Sequence, residues 1–218
     1  MRDSLRLYLA EFIGTFILVF VATGAVIVND IAGGVVTHVG IAIATGLVVM
    51  VVVYSIGDVS GSHINPAVTL GFMLASRFPL SRFIQYLFAQ CLGAVLASLL
   101  LSYLFLEHTN LATTVPSGPV LQSFLMELVL TFMLMFVILS VSTGSMEKGI
   151  MAGSAIGAFI ALAVLFAGPI SGASMNPARS LAPAIVSLDF GSLWIYLTAP
   201  FIGSAIAVVA FRLVHKPY

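Results

Sequence analysis

The chain alternates between long apolar runs and short polar breaks. Eighteen uncharged residues separate Glu11 from Asp30, and 24 separate Arg82 from Glu107. A helix of about 20 apolar residues crosses the hydrocarbon core of a bilayer, which is roughly 30 Å thick. Runs of this length therefore predict transmembrane helices. We predict six full spans, at about 6–29, 36–57, 81–106, 120–142, 148–168 and 191–213.

Two shorter helices are predicted at 66–75 and 177–187, each after a Gly/Ser-rich break. About ten residues of helix reach only about 15 Å, half of the bilayer core. Each short helix must therefore enter the membrane and stop midway, with its irregular backbone shielded by protein or lining a cavity. Matching breaks in two halves of a chain are the pattern expected at a solute path.

The same tripeptide opens both short helices, at Asn65-Pro66-Ala67 and Asn176-Pro177-Ala178, 111 positions apart. Asn favours the N-cap and Pro the first helical position. The Asn carbonyl can accept from the first turn, which leaves the amide NH₂ to point into a lumen as a donor. Two positive helix ends that meet at mid-membrane disfavour cations, including hydronium, and favour a neutral molecule with a lone pair.

The two halves of the chain align as an inverted repeat. Ala10-Glu11-Phe12 matches Met126-Glu127-Leu128, and each half has three spans with a half-helix between its second and third. An odd number of spans gives the halves opposite orientations. We expect one channel domain over 1–218, made of a first repeat at 1–108, a connector at 109–119 and a second repeat at 120–218.

Composition narrows the class of protein. The chain is 61% hydrophobic and 7% charged, whereas soluble domains carry about 25% charged residues, so a polytopic membrane protein is expected. Net charge is zero and no basic tract occurs, which makes nucleic acid an implausible partner. The single cysteine, Cys91, excludes an intramolecular disulfide and a cysteine-cluster metal site. With no paired nucleophile and base and no phosphate loop, we expect no enzyme activity, cofactor or metal.

The charges predict an orientation in the membrane. If six spans alternate, seven basic residues fall at one face and Asp30, Glu107 and Asp189 at the other. By the positive-inside rule both termini are cytoplasmic, in a multi-pass protein of the cell (inner) membrane. The first span is expected to be a retained helix rather than a signal peptide. The seven basic residues are Arg2, Arg6, Arg77, Arg82, Lys148, Arg212 and Lys216.

Arg179 alone breaks this pattern, about one turn into the second half-helix. An arginine in an apolar segment costs several kcal/mol unless it is solvated or paired. The functional interpretation is a fixed positive charge and donor fork at the outer mouth of a pore. The alternative is a salt bridge that holds loops together.

Four further polar residues are expected to support the irregular loops. Glu11 and Glu127 occupy matching places and can accept from loop N–H groups that otherwise lack partners; proton coupling is the alternative role. His63, two residues before Asn65, either lines or gates the pore or orients the loop through a hydrogen bond. Gln90 is expected to bond neighbouring helices or a loop.

These motifs resemble those of the major intrinsic protein family, the aquaporins and glycerol channels. The resemblance covers essentially the whole chain and rests on Ala10-Glu11-Phe12, residues 60–69, Ala89-Gln90 and residues 171–180. It implies an all-α membrane fold of six transmembrane helices plus two re-entrant half-helices arranged as an inverted repeat. It also implies a homotetramer in the lipid bilayer, with one pore per protomer.

In that family four positions line a narrow outer filter, and here they correspond to Thr45, Val164, Ala173 and Arg179. Strict water channels usually carry an aromatic residue at the first position and histidine at the second. The smaller residues here therefore imply a wider ring. Glycerol channels usually have aromatics beside the arginine and an aspartate just after it, where this chain has Ser180.

The wide ring with its arginine is similar to that of the nodulin-like intrinsic proteins. Ser180 and Ala184 are further subtype-diagnostic positions, and Tyr196-Leu197 replaces the Phe/Tyr-Trp pair common in water channels. That subfamily is associated with boric, silicic and arsenous acids, glycerol, urea and some water. We therefore expect a passive channel for these small neutral solutes that excludes protons and ions.

Three alternatives stay open at this stage. One is a water-selective aquaporin, which would pass water and reject the larger solutes. The second is an ion-coupled secondary transporter, with Glu11, Glu127, Asp58 or His63 as its titrating group. The third is a non-conducting junction or scaffold protein. The plant members of the nodulin-like subfamily usually have long polar tails, so the short tails expected here indicate a prokaryotic relative.

Overall fold

The structure, a computed structural model, describes residues 2–143 and 150–215. Those residues contain helices and connecting loops and no strand. Within these two ranges, six helices are long and apolar enough to cross a membrane, which confirms the all-helical membrane fold. Lys148 and Lys216, used above for orientation, and the expected start of the fifth span lie outside the described residues.

The helices are numbered in chain order. Of the six long helices, α1 covers Arg2–Ile31, α2 Thr37–Ser60, α4 Phe83–Leu104, α5 Val120–Val141, α6 Ala152–Ser171 and α8 Leu193–Val214. Of the two short ones, α3 covers Pro66–Leu74 and α7 Pro177–Ser187, and a 3₁₀ turn at Leu80–Arg82 precedes α4.

Helices α2 and α6 run three residues past their expected ends at 57 and 168. They stop where Gly61 and Gly172 adopt φ values of 85° and 81°, because a left-handed residue ends the helical hydrogen-bond pattern. Apolarity marks the part of a helix suited to lipid, whereas the glycine marks where the helix ends.

Pro169 lies in the last turn of α6 without ending it. Proline has no N–H, so the carbonyl of Leu165 loses its usual helical donor. His38 of α2 lies at this carbonyl instead, with its Nε2 2.9 Å from the oxygen. The contact ties the start of α2 to the weakened turn of α6.

Glycines let the long helices approach backbone to backbone. In α4, a Cβ at Gly93 would lie 2.2 Å from the Phe12 carbonyl oxygen of α1. In α8, a Cβ at Gly203 would lie 2.2 Å from the Leu128 oxygen of α5. Neither site has room for a side chain, so these two glycines serve contacts within the protomer.

At the centre, α2 and α6 cross through a reciprocal glycine contact. A Cβ at Gly46 would lie 2.5 Å from the Gly157 oxygen, and a Cβ at Gly157 would lie 2.6 Å from the Gly46 oxygen. These two glycines are 111 positions apart, the same spacing as Asn65 and Asn176. The crossing therefore relates the two halves of the chain as equivalent partners.

The outer surface of the helix bundle is apolar. Large side chains such as Phe88 (65% exposed) and Leu92 (59% exposed) on α4 face outward. The buried interior, in contrast, contains Glu11, Glu127 and Gln90. A bilayer suits this distribution, because lipid tails accept apolar side chains and polar groups must find partners inside the protein.

Candidate functional site

Both short helices begin with an asparagine cap followed by proline. Asn65 Oδ1 accepts from the N–H of Ala67 at 2.8 Å. Asn176 Oδ1 accepts from Ala178 at 3.0 Å and from Arg179 at 3.4 Å. Each cap thus satisfies free N–H groups at a helix start that lies inside the protein.

The asparagine amides join the two loops crosswise. Asn65 Nδ2 donates to the Met175 carbonyl at 2.8 Å, and Asn176 Nδ2 donates to the Ile64 carbonyl at 2.9 Å. The sequence predicts these amides as donors to a lumen, and neither tripeptide reveals the bond that each amide makes to the opposite loop. An amide has two N–H donors, so one per asparagine is left after this bond. The starts of α3 and α7 therefore meet as a bonded pair.

Glu127 of α5 supports the loop before α7. Its carboxylate accepts from the Ser171 hydroxyl at 2.8 Å, the Ser174 N–H at 2.9 Å and the Met175 N–H at 2.7 Å. Met175 has a φ of 52°, a conformation that side chains other than glycine seldom adopt. A carboxylate fixed behind the loop holds this backbone in place.

Glu11 of α1 supports the loop before α3 in the same way. It accepts from the Ser60 hydroxyl at 2.7 Å, the His63 N–H at 2.9 Å and the Ile64 N–H at 2.7 Å. A fourth donor is Gln90 Nε2 at 2.8 Å, which also donates to Thr69 Oγ1 at 3.0 Å. Glu11 and Glu127 are both fully buried. The described contacts of both carboxylates are therefore those of a support for the loops.

Two tyrosines complete this support and were missed from the sequence. Tyr86 donates to the Ser60 carbonyl at 2.8 Å, and Tyr196 donates to the Ser171 carbonyl at 2.7 Å. The two tyrosines are 110 positions apart, close to the spacing of the asparagines. A comparison of the halves that allows an offset of one residue could have found this pair.

His63 packs among aromatic rings beside the first loop. Its ring stacks on Phe72 at 4.6 Å between centroids and contacts Phe78 at 4.9 Å and Tyr86 at 5.2 Å. Its Nδ1 lies 3.2 Å from Thr69 Oγ1. The ring is thus held on one side by aromatic contacts and on another by a hydroxyl.

Arg179 lies in the first turn of α7 and is half-buried. Its Nη1 donates to the Ala112 carbonyl at 3.1 Å. In the part of the chain that the structure describes, this acceptor is a backbone carbonyl and no carboxylate lies within salt-bridge distance of the guanidinium. The remaining donors of the guanidinium are therefore available to other acceptors.

Hydroxyl groups connect the segment that carries Ala112 to α7. Thr114 Oγ1 donates to Ser180 Oγ at 2.8 Å, and Ser180 Oγ lies 2.6 Å from Ser174 Oγ. All three side chains are buried. The connector, the second loop and the helix that bears Arg179 are therefore linked. Ala112 could not have been found from the sequence, since a carbonyl acceptor has no residue signature.

Two cavities adjoin the elements that carry the asparagine pair and Arg179. The first, here called the His63 cavity, has a volume of about 690 Å³ and its lining includes Asn65, Asn176 and His63. The second, here called the Arg179 cavity, has a volume of about 450 Å³ and its lining includes Val164 and Arg179.

The structure divides the four expected filter residues. Val164 and Arg179 line the Arg179 cavity together. Thr45 and Ala173 line neither of the two cavities. Thr45 Oγ1 donates to the Ile41 carbonyl at 2.8 Å within α2. Ala173 is 4% exposed with a φ of 44°, in the loop between Gly172 and the asparagine pair.

The subtype-diagnostic residues lie away from both cavities. Ser180, Ala184 and Tyr196 are fully buried, and Leu197 is half-buried. Ser180 and Tyr196 bond the loop and its connector, as described above, whereas Ala184 lies within α7. Their contacts are with the protein interior and not with either cavity.

Six membrane-spanning helices around two half-helices that meet at their starts define a transmembrane channel. Residues 1–211 match the model of the major intrinsic protein family. The chain belongs to this family. It is a channel for water and small neutral solutes and not an enzyme.

Similar proteins narrow the relationship. Aquaporin NIP1-4 of Oryza sativa subsp. japonica is 48% identical over 211 residues, which cover 96% of this chain and 77% of that protein. Nodulin-26 of Glycine max is 44% identical, with coverage of 96% and 78%. The X-ray structure of the aquaglyceroporin from Plasmodium falciparum superposes with a TM-score of 0.84 at 26% identity and covers 97% of both chains.

Proposed function

We propose that this channel passes boric, arsenous and silicic acids, glycerol, urea and water, and that it excludes protons and ions. The observation that carries the proposal is the crosswise bonding of Asn65 and Asn176, which brings the starts of α3 and α7 together. Two positive helix ends at one point repel a cation. A neutral hydroxylated molecule can still accept from the remaining amide donors.

The proposed filter consists of Thr45, Val164, Ala173 and Arg179. Arg179 supplies fixed charge and donors, and its contact with the Ala112 carbonyl fixes the guanidinium at the cavity. None of the other three side chains is aromatic, which supports a ring wide enough for a three-hydroxyl solute. The neighbour titled an aquaglyceroporin supports glycerol as a solute, and the relative named aquaporin NIP1-4 supports water.

Within this proposal Glu11 and Glu127 are structural supports and not proton carriers. Each carboxylate is buried and surrounded by at least three donors from its own loop. Neither residue lines the His63 cavity or the Arg179 cavity. Passive flux therefore needs no ion gradient.

The proposed organisation is two inverted repeats at 1–108 and 120–218, joined by 109–119. Two pairs of residues support this division, because Glu11 and Glu127 make equivalent contacts, each with the loop of its own half, and so do Tyr86 and Tyr196. The exposed apolar faces of the long helices are available to lipid and to further copies of the chain, in keeping with the proposed homotetramer.

We further propose that both termini are cytoplasmic, in the cell (inner) membrane. Arg77 lies over the Phe211 ring at 5.2 Å, and Arg212 donates to the Leu74 carbonyl at 2.6 Å. These two basic residues therefore occupy one end of the bundle. Asp30 pairs with His108 at 3.1 Å, where α1 ends and α4 gives way to the connector. By the positive-inside rule the arginine end faces the cytoplasm.

Stopped-flow light scattering on proteoliposomes tests the proposed solutes. Boric acid and glycerol should enter faster than into protein-free vesicles, and dissipating proton or sodium gradients should leave both rates unchanged. Water flux with complete exclusion of both solutes would leave a water-selective aquaporin. Solute uptake that collapses with the gradient would indicate a coupled transporter.

A further inference from the structure

The filter positions have counterparts in the other half of the chain. A spacing of 111 residues relates Asn65 to Asn176 and Gly46 to Gly157, and the two members of each pair bond or contact each other's half. The same spacing relates the filter residues to four residues that all line the His63 cavity. The counterparts are Ile156 for Thr45, Val53 for Val164, Ser62 for Ala173 and Val68 for Arg179.

This second set differs from the filter in its chemistry. Val68 stands where the other half has the guanidinium of Arg179, so the fixed charge and its donors are absent. Ser62, in contrast, adds a hydroxyl where the other half has only the methyl group of Ala173. Ser62 is therefore the one polar side chain among the four counterparts.

The Ser62 hydroxyl has no hydrogen-bond partner among the described residues, although the residue is only 7% exposed. A buried hydroxyl without a partner is unfavourable. Two neighbouring polar groups already have hydrogen-bond partners, since Ser60 Oγ donates to Glu11 and His63 Nδ1 is within hydrogen-bond distance of Thr69 Oγ1. Ser62 also lines the His63 cavity, but its oxygen is covered in the present rotamer, so rotation about the Cα–Cβ bond is needed to bring the hydroxyl to a molecule in the pore.

We propose that Ser62 Oγ is a second specificity-determining group, which hydrogen-bonds hydroxyl-bearing solutes within the His63 cavity, beside the asparagine pair. The inference rests on the proposed solute class. Much of this cavity's lining is aliphatic, including Val49, Val53, Leu134 and Ile156. A solute with three hydroxyl groups loses more hydration here than water does, so one added partner assists the solute more.

Alanine at position 62 is an informative change because the protein already contains its structural equivalent. Ser62 has a φ of 47° and Ala173, in the matching loop, has a φ of 44°. Ser62→Ala therefore removes the hydroxyl and leaves a backbone conformation that alanine already adopts in this fold. Ser98 is a matched control, since its hydroxyl is also buried and unpartnered but lines neither cavity.

The first experiment compares wild type, Ser62→Ala and Ser98→Ala in proteoliposomes. Ser62→Ala should lower glycerol and boric acid permeability roughly 2- to 10-fold, the factor that one neutral hydrogen bond provides, and change water permeability less. Ser98→Ala should match wild type for all three. An unchanged ratio of solute to water permeability in Ser62→Ala overturns the inference, as does an equal change in both variants.

The second experiment asks whether the side chain at position 62 faces the pore. A thiol-directed reagent should block water flux through Ser62→Cys, and the wild type, which has only Cys91, is its control. Flux that persists in labelled Ser62→Cys places the side chain away from the pore and overturns the inference. If the wild-type channel excludes both glycerol and boric acid, the proposed solute class is wrong. The block of water flux through labelled Ser62→Cys then still tests whether the side chain at position 62 faces the pore.

Discussion

The first re-entrant unit, residues 60–74, is held by side chains from outside it. Glu11 accepts from one serine hydroxyl and two loop N–H groups of this unit, and Tyr86 donates to the Ser60 carbonyl. In the unit formed by residues 171–187, Glu127 accepts from the equivalent three groups. The corresponding distances differ by about 0.1 Å or less. Support of the loop is therefore the part of the two units that is nearly identical.

The two units differ where they face the cavities. The first presents Val68 and an aromatic-packed His63, and the second presents Arg179. Behind these residues, Thr69 bonds Gln90 in the first unit, whereas Ser180 bonds Thr114 in the second. The two halves therefore share the framework that holds the loops, and we expect selectivity to depend on the positions at which they differ. Four sets of substitutions test that division.

The largest effect is expected from removing the loop supports. Glu11→Leu and Glu127→Leu each leave two loop N–H groups and a serine hydroxyl buried without an acceptor. Each orphaned donor costs about 1–3 kcal/mol, and whole domains are stable by only about 5–15 kcal/mol. Both variants should lose folded protein and flux, as measured by size-exclusion chromatography after heating in detergent.

Glutamine at the same two positions is the milder control, since it keeps one acceptor oxygen and should give intermediate stability. The comparison predicts similar losses in the two halves, with Glu11 somewhat more sensitive because Gln90 is a fourth partner. A severe loss in one half beside near wild-type stability in the other would contradict a shared framework.

Arg179→Val is expected to have the next largest effect and to act on selectivity. The change removes a fixed charge from the Arg179 cavity, so proton leak should rise on the order of tenfold. The helix starts at Asn65 and Asn176 remain and should retain much of the barrier. A pH-sensitive dye inside proteoliposomes measures the leak. Arg179→Lys is the control, because it keeps the charge without the planar fork.

An Arg179→Val variant with wild-type proton exclusion and solute selectivity would reduce the arginine to a support for the connector at Ala112. Exclusion would then be assigned to the paired helix starts alone. The difference between Val68 in the first half and Arg179 in the second would then have no effect on proton exclusion or solute selectivity.

A narrower filter should separate solutes from water. Thr45→Phe combined with Val164→His adds bulk to two of the four proposed filter positions. Glycerol and boric acid permeability should fall about tenfold or more, while water changes by less than about threefold, in the same stopped-flow assay. The single substitutions should lie between. Unchanged solute flux in the double variant would refute the assignment of these two residues to the filter.

The smallest effect is expected from the paired tyrosines. Tyr86→Phe and Tyr196→Phe each remove one hydroxyl that donates to a serine carbonyl. Each should lower the free energy of unfolding by about 1 kcal/mol and leave the ratio of solute to water permeability unchanged. Thermal melts in detergent provide the first measurement and stopped-flow the second. A change in selectivity in either variant would break the separation between framework and selectivity.

The sequence predicts those features that depend on local chemistry. The spans follow from apolar length, and the starts of α3 and α7 follow from Asn-Pro. The need for an acceptor beside each loop follows from irregular backbone in an apolar setting, which is why Glu11 and Glu127 stood out. The filter and subtype positions came from resemblance to a family, and their roles stay predictions.

Other features depend on contacts that sequence patterns do not encode. Ala112 holds Arg179 through a carbonyl that every residue possesses. The crosswise amide bonds join residues 110 and 112 positions apart, and neither tripeptide reveals its partner. The predicted ends of α2 and α6 were three residues too early, because a glycine, and not the loss of apolarity, ends each helix.

The crosswise amides also carry a consequence for biosynthesis. The acceptor for Asn65 belongs to Met175, so a ribosome that has finished the first half of the chain has not yet supplied it. Until the second half is made, the segment around α3 stays in the translocon or in lipid, and the Asn65 amide lacks this acceptor. Nascent chains stalled before residue 175 should therefore hold this segment loosely, and its protection from a water-soluble probe should appear only once the second loop has emerged.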